Sequence, residues 1–600
     1  MAGDHADQGA SKVERGTLTC FPDIITPPAK SPLRQVASER TLGATTIRTS
    51  TENDSIRHEG LASDDEKIDL HSPRRARFCS SSSVTITADP VPHVTRHLSR
   101  LTGTYSHFSD SSQSNSNDDE EKTDAQGEDG AEGRDSNVVE WDGSNDPENP
   151  QNWSRAYKWF LTVTLGMVTF VITFASSIFS TATKATAKEF GVSNEVMILG
   201  TSLFVLGFAV GPIIWGPMSE LYGRKYPLFI GFFIFALLQI PVAVAQNVQT
   251  IMVCRFFGGV FGSAPLGTVG GQLTDLWGPL DRGVAMTLFI GAVFMGPVVG
   301  PIVGGFIVQS HLGWRWTEFI TAIMGFAFGT FGFFTVPETF APILLSRRAT
   351  KIRFATKNWA VRAKYDEQQV DLKSIMEKYL LRPFAMLFKE PILDLMTLYM
   401  SIIYGILYLL FEAYPIAFQE QRGMNSGTGA LPFLSISLGV VIGVCIIIYT
   451  TKTRFTRKFQ ENNGIVVPEE RLIPMIIGGF LFPAGMFWFA WTSSPEVTWA
   501  PQVISGVLIG AGVLMIFLQG LNYIIDCYVM YANSALAANT FLRSGFGAGF
   551  PLFATAMYHR LGVNWAASLL AFITAALFPV PILFFFYGHK IRKMSKYSPT

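Results

Sequence analysis

Two polar stripes and two isolated arginines stand inside otherwise apolar runs of this 600-residue chain, and their types and spacing suit proton and ligand chemistry. Tyr404, Tyr408 and Glu412 recur every four residues, so on a helix two phenols and a carboxyl share one face. Gln519, Asn522 and Asp526 form a second stripe. Arg255 lies near the start of one apolar run, and Arg543 falls well within another. Charges at membrane depth are costly and functional by default. A carboxyl held between burial, which favours its protonated form, and a nearby cation, which favours its ionised form, can bind and release a proton. Glu412 is the first candidate for that role and Asp526 the second. The plainer alternatives are an interfacial Glu412 beside Tyr414-Pro415, a loop position for Asp526, and an Arg543 that only serves backbone carbonyls.

These residues need helices to carry them. Apolar runs at about 159–180, 197–216, 227–246, 251–275, 284–308 and 317–337 reach the ~20 residues that cross a ~30 Å hydrocarbon layer. A polar stretch at 338–388 follows, then six more runs near 390–414, 430–450, 473–492, 500–523, 533–557 and 565–587. Six, a long connection and six again suggest two similar bundles related by a repeat, the plan of secondary transporters. The fifth run contains Gly296, Pro297, Gly300, Pro301, Gly304 and Gly305. Glycines four apart make a bare helix face, and the two prolines predict a bend there, so this stretch reads as a joint between two moving bodies. Small residues at intervals of four also mark span four (Gly259, Ser263, Gly267, Gly271), span eight (Gly439, Gly443) and span eleven (Gly545, Gly549).

Residues 1–150 differ in kind, being rich in Ser, Thr, Asp, Glu, Gly and Pro, and read as a disordered tail. The tail holds an acidic block at Asp118 to Glu121, a basic one at Arg74 to Arg77, and serine runs at Ser80 to Ser83 and Ser109 to Ser116 that suit phosphorylation. Its end, Asp146 to Trp153, is turn-rich and brings an aromatic toward the membrane surface. With 47 basic and 47 acidic residues there is no bias toward nucleic acid. Cys20, Cys79, Cys254, Cys445 and Cys527 are scattered without metal or disulfide spacing. No nucleophile, base and orienting triad is present, so neither catalysis nor a cofactor is expected. The N-terminus lacks a basic-then-apolar signal, so the first span must itself direct insertion. Twenty-three Lys and Arg flank the spans on the side of the 338–389 connection, and five on the other. That asymmetry predicts cytoplasmic termini and a cytoplasmic central loop.

Four segments give the region 145–597 a resemblance to the major facilitator superfamily, and within it to the fungal twelve-span drug:proton antiporters. Gly216-Pro217-Met218-Ser219-Glu220-Leu221-Tyr222-Gly223-Arg224-Lys225 is similar to the superfamily's signature between spans two and three, with Leu221 where Arg is often found. The Gly296 to Gly305 stretch resembles the motif associated with antiporters. Arg255-Phe256-Phe257-Gly258-Gly259 is similar to the Arg-then-Gly pattern of span four. Asp146 to Trp153, Pro337-Glu338-Thr339-Phe340-Ala341-Pro342 and Tyr587-Gly588 resemble features of the subgroup.

The resemblance implies an all-α membrane protein of twelve transmembrane helices in two six-helix bundles, 151–337 and 389–588. The loop at 338–388 joins them, and a short basic tail, 589–600, closes the chain. It implies that spans seven and ten line a central cavity, so that Arg255, Tyr404, Tyr408, Glu412, Gln519, Asn522, Asp526 and Arg543 are candidates for substrate and proton binding. It implies that Gly216, Glu220, Gly223, Arg224 and Lys225 form a gating latch, with Arg224 and Lys225 held at the anionic leaflet. Span five is expected to meet span eight, with Gly296, Gly300 and Gly304 against Gly439 and Gly443. The expected activity is proton-driven export of hydrophobic small molecules such as toxins, fungicides or secondary metabolites, by a monomer in the plasma membrane with the proton gradient as its energy source. A uniporter or symporter for a nutrient or polyamine, and a membrane sensor signalling through its tail, are the competing readings.

Overall fold

The apolar runs fold as helices in the computed structural model of the protein, which describes residues 137–367, 377–463 and 466–597, apart from the side chains of Pro279 and Leu280. The first half holds α1 Arg155–Ile178, α2 Asn194–Leu221, α3 Lys225–Ala243, α4 Val248–Leu276, α5 Pro279–Gln309 and α6 Arg315–Thr335. The second holds α7 Pro391–Tyr414, α8 Phe433–Thr450, α9 Leu472–Trp491, α10 Trp499–Cys527, α11 Ala532–Leu577 and α12 Pro579–Arg592. Local chemistry sets their starts. Asn247 accepts the Thr250 N–H at 2.8 Å to cap α4, and α7 begins on Pro391, whose missing N–H would have no partner in a first turn.

Among the described residues, eleven helical stretches are long and apolar enough to cross a membrane. The last, Val529–Arg592, has 64 residues, about 96 Å as a straight helix, far beyond a ~30 Å hydrocarbon layer. It folds back at Gly562, whose φ of 75° and ψ of 160° are open to glycine and not to other residues. Twelve crossings result, the eleventh ending at Gly562 and the twelfth running on through α12.

Packing repeats between the halves. α1 lies on α5 and α2 on α4, as α7 lies on α11 and α8 on α10. Across the boundary α2 meets α11 and α5 meets α8. Two six-helix bundles thus join along two equivalent helix pairs, as expected of a duplicated plan.

Two expected boundaries are corrected. Residues 137–150 carry the polar composition of a tail yet fold against the central connection. Val139 N–H donates to Arg362 O at 2.9 Å, and Arg362 N–H donates to Asn137 O at 2.8 Å. Asp146 is buried and pairs at 2.6 Å with Arg348 of the helix Ala341–Thr356, and Asp142 joins the same guanidinium. Composition misread this clasp because its carboxylates find their partner about two hundred residues away. Residues 589–597, expected as a free tail, are likewise docked. Arg592 pairs with Glu469 at 2.8 Å, and Lys596 N–H donates to Glu390 at 3.1 Å. The acidic and basic blocks of the tail, its serine runs, Cys20 and Cys79 lie outside the described residues, as does Lys373 of the central connection.

Candidate functional site

Where the bundles meet, α7 brings Tyr404 and Tyr408 one turn apart. Tyr404 OH donates to Tyr408 OH at 3.5 Å, Tyr408 shares a 2.9 Å hydrogen bond with Ser176 of α1, and Ser176 donates to Thr173 O at 2.7 Å. A chain of hydroxyls therefore crosses the boundary. Beside it the Tyr404 ring lies 5.7 Å from Phe517 of α10, which in turn lies 5.1 Å from Phe294 of α5. The two bundles touch there through aromatic rings. Arg543 of α11 sits over this seam, its Cζ 5.0 Å from the Tyr404 ring and 5.8 Å from that of Phe517. Its Nε is buried without an acceptor. Glu412, one turn beyond Tyr408, is half-buried and makes no hydrogen bond or ion pair among the described residues.

The second stripe goes elsewhere. Gln519 and Asn522 are buried in α10, and Gln519 lines a small cavity with Thr451 and Arg471. Asp526 pairs with Arg471 at 3.0 Å, both side chains nearly enclosed, so its carboxyl faces a cation and not the aromatic seam.

Arg255 is fully buried on α4 and ties four helices together. Its Nε donates to Gly200 O of α2 at 3.1 Å and its Nη1 to Ala175 O of α1 at 3.0 Å. Glu318 of α6 stands 3.5 Å away, also fully buried, with no hydrogen bond to either oxygen. Phe179 and Phe204 sandwich the guanidinium at 4.8 and 4.5 Å. Sequence reasoning passed over Glu318, although an acid at the second position of an apolar run was the available signal.

On the face carrying the central connection, Gly223 adopts φ 89°, and a side chain there would strike the carboxylate of Glu338. Glu338 accepts the N–H groups of Arg224 at 2.8 Å, Lys225 at 3.1 Å, Thr339 and Phe340 at 3.0 Å each. Arg224 is not at the lipid surface, as was expected, but turned inward: it pairs with Asp275 at 3.3 Å, receives support from Ser219 at 3.1 Å and covers the Phe340 ring. The correction has a physical reason. Asp275 at the end of α4 offers the guanidinium a buried counter-charge that lipid headgroups would have to match. Lys225 Nζ lies over Phe333 at 4.9 Å. Glu220 crosses to the other bundle, accepting from Asn533 at the start of α11 at 2.8 Å and from Lys378 at 2.8 Å, with Tyr379 closing the group over Gly216. Burial and the Glu220 carboxylate push the Tyr379 phenol well above its ordinary range, so it remains a donor.

Polar contacts also cross the boundary on the opposite face. Lys184 pairs with Glu420 at 2.8 Å, and Glu420 meets His559 at 2.9 Å. Gly427 N–H donates to Gln309 at 3.2 Å.

Between the faces, α5 runs unbroken through Pro297 and Pro301. Its bare face does not meet Gly439 and Gly443. A side chain at Gly296 would strike Thr173 and Phe174, at Gly300 Ser177 and Phe174, and at Gly304 Thr181 and Ile178, all on or just after α1. Gly439 and Gly443 instead face Val507 and Ala511 of α10. Each smooth face is spent inside its own bundle, where close backbone approach gains the most dispersion contact. The boundary is left to bulkier partners, Gly291 against Val444 and Gly305 against Ser426 and Ala430. At Gly545 and Gly549 an added Cβ would meet nothing within 4 Å.

Comparison with known proteins agrees with this arrangement. Residues 165–549 match the family described as the Major Facilitator Superfamily. The chain is 56% identical over 463 residues to a citrinin biosynthesis cluster MFS transporter of Monascus ruber, covering 77% of this chain and 92% of that protein. It is 51% identical to an ascochitine biosynthesis cluster MFS transporter of Didymella fabae, over 78% of this chain and 90% of that one. A cercosporin MFS transporter of Cercospora nicotianae is 46% identical, with 77% and 90% covered. The solved structure of the proton:xylose symporter XylE bound to 6-bromo-6-deoxy-D-glucose aligns with a TM-score of 0.52 and 16% identity over 73% of this chain and 96% of that one, a likeness of fold.

Proposed function

The chain belongs to the major facilitator superfamily, and from that premise we propose that it exports hydrophobic small molecules in exchange for protons by alternating access. The observation that carries this reading is an aromatic seam between two bundles with polar contacts crossing the boundary on both faces. Opening one face breaks Glu220 from Asn533, and opening the other breaks Lys184 from Glu420. Two such sets of weak contacts suit a pair of bundles that tilt between discrete arrangements.

In the proposed cycle the face of the central connection opens to the cytoplasm, and cargo enters among Phe294, Tyr404 and Phe517. Glu412 then releases its proton inward, the bundles tilt, cargo leaves on the far side, and Glu412 is protonated there. Rings and few fixed charges suit recognition by packing. The relatives named for citrinin, ascochitine and cercosporin support a toxin or secondary-metabolite cargo and, by extension, fungicide resistance. On this reading the protein is a plasma-membrane monomer with cytoplasmic termini, powered by the proton gradient, without catalytic activity, cofactor or nucleic-acid partner.

The test is a panel of growth-inhibition assays in a strain lacking its own pumps, followed by accumulation measurements. The chain should lower the cellular content of a protected compound, and a protonophore should abolish the effect. Raised cellular content of a nutrient instead would favour an importer.

A further inference from the structure

We propose that Arg543 is the counter-ion for an anionic substrate, and that the seam selects aromatic acids over aromatic cations. The proposal deepens the exporter reading and rests on it for the direction of travel, but not for binding.

Four other largely enclosed arginines each face a carboxylate: Arg224 meets Asp275, Arg255 meets Glu318, Arg471 meets Asp526 and Arg592 meets Glu469. Half-buried Arg422 faces no carboxylate but donates to Gln502 and to the carbonyls of Val497, Thr492 and Ser494, whereas half-buried Arg543 has neither kind of partner among the described residues. Among the described residues no Asp or Glu lies within 4.0 Å of it, its Nε has no acceptor, and its neighbours are the rings of Tyr404 and Phe517. Ring faces attract a cation but accept none of its five N–H groups. A guanidinium does not shed its charge in a protein, so among the described residues this cation has no counter-charge, and a ligand can supply one. It stands eleven residues into α11, roughly 16 Å from the helix start and so near mid-membrane, where an unpaired charge is least welcome.

A planar carboxylate matches the guanidinium fork in two parallel hydrogen bonds. An aromatic body attached to that carboxylate would extend along Tyr404 and Phe517 toward Phe294 of the other bundle, so one ligand engages both halves. An aromatic ammonium would meet a like charge at the same place. The seam therefore reads charge through Arg543 and shape through its rings.

The experiment is equilibrium binding to the purified full chain in lipid nanodiscs at pH 7, with no transport measured. The probes are 2-naphthoate, the neutral 2-naphthamide and 2-naphthylmethylammonium. Naphthoate should bind about tenfold or more tighter than the amide, the span expected for a charge-assisted pair, and the ammonium should bind weakest. Arg543→Gln should bring naphthoate to the level of the amide, and an unchanged thermal unfolding midpoint shows that the variant is folded. Arg543→Lys should retain part of the preference. The proposal is overturned if naphthoate does not bind, if the ammonium binds as well as naphthoate, if Arg543→Gln keeps the wild-type preference, or if Arg543→Lys shows none. Proton-driven export of cationic compounds would leave the exporter reading standing while this proposal falls. Anion selectivity without proton-driven export would do the reverse.

Discussion

Glu318 faces Arg255 at 3.5 Å with neither side chain exposed, whereas Glu412 is half-buried beside the seam with no hydrogen-bond or ion-pair partner among the described residues. These settings assign different duties. Removing one member of a buried pair leaves the other charge uncompensated, a change that typically costs about 3–5 kcal/mol. Glu318→Gln should therefore lower the thermal unfolding midpoint of the detergent-purified protein. An unchanged midpoint would mean that the pair is not holding α4 and α6 together. Glu412→Gln should instead unfold like the wild type and lose the dependence of transport on a pH gradient. Wild-type dependence in that variant would move the proton to Glu318 or to another residue. At this scale the sequence singled out Tyr404, Tyr408 and Arg543 as polar groups in apolar runs, and the structure places them beside one another. Ser176, Phe294 and Phe517 were not legible. Nothing in their own segments distinguishes them, and only the meeting of α1, α5, α7 and α10 brings them together.

Helices were easier to read than the contacts between them. Hydrophobic length located every crossing, yet the smooth face of α5 was assigned to the wrong neighbour, because a glycine stripe states how close a partner comes and not which partner it is. The consequence is specific. A side chain at Gly300 would sit 2.9 Å from Phe174 O of α1, whereas Gly545 has open space. Gly300→Val should cost about 1–3 kcal/mol through overpacking and lower the unfolding midpoint, while Gly545→Val should leave it unmoved. Equal effects would contradict the packing described for α5. The clasp at 137–153 carries its own test. Hydrogen bonds from the Asp142 N–H and then from Arg348 hold the Asp146 carboxyl below its ordinary range. A carboxyl depressed in the folded state adds stability above about pH 4, and that stability is lost as pH falls through the lower folded value. Asp146→Asn should therefore speed hydrogen exchange in residues 137–153 at pH 7, and the difference from wild type should shrink in acid below the folded value. A difference that persists there would mean that the carboxylate is not what fastens the clasp.

For the whole molecule, the proposed alternating access requires the two duplicated bundles to part along their shared boundary. Lys184 and Glu420 face each other across it at 2.8 Å. A Lys184→Cys, Glu420→Cys protein bridged by a short reducible bis-thiol cross-linker, which spans the length of the two lost side chains, should lose transport until a reductant restores it. Full activity in the cross-linked state would argue against tilting bundles. The two-bundle plan was visible as six runs, a polar connection and six runs. The contacts of the loop between α2 and α3 were visible only in part, since Glu220 stood in a recognisable loop but Asn533, Glu338 and Asp275 come from three distant segments. The central claim is that this architecture exchanges protons for cargo, and everted plasma-membrane vesicles test it most directly. With a compound against which the chain protects cells, an imposed gradient, acid inside, should drive accumulation in the vesicles, and a protonophore or Glu412→Gln should abolish it. Accumulation that proceeds unchanged without a gradient would contradict the account.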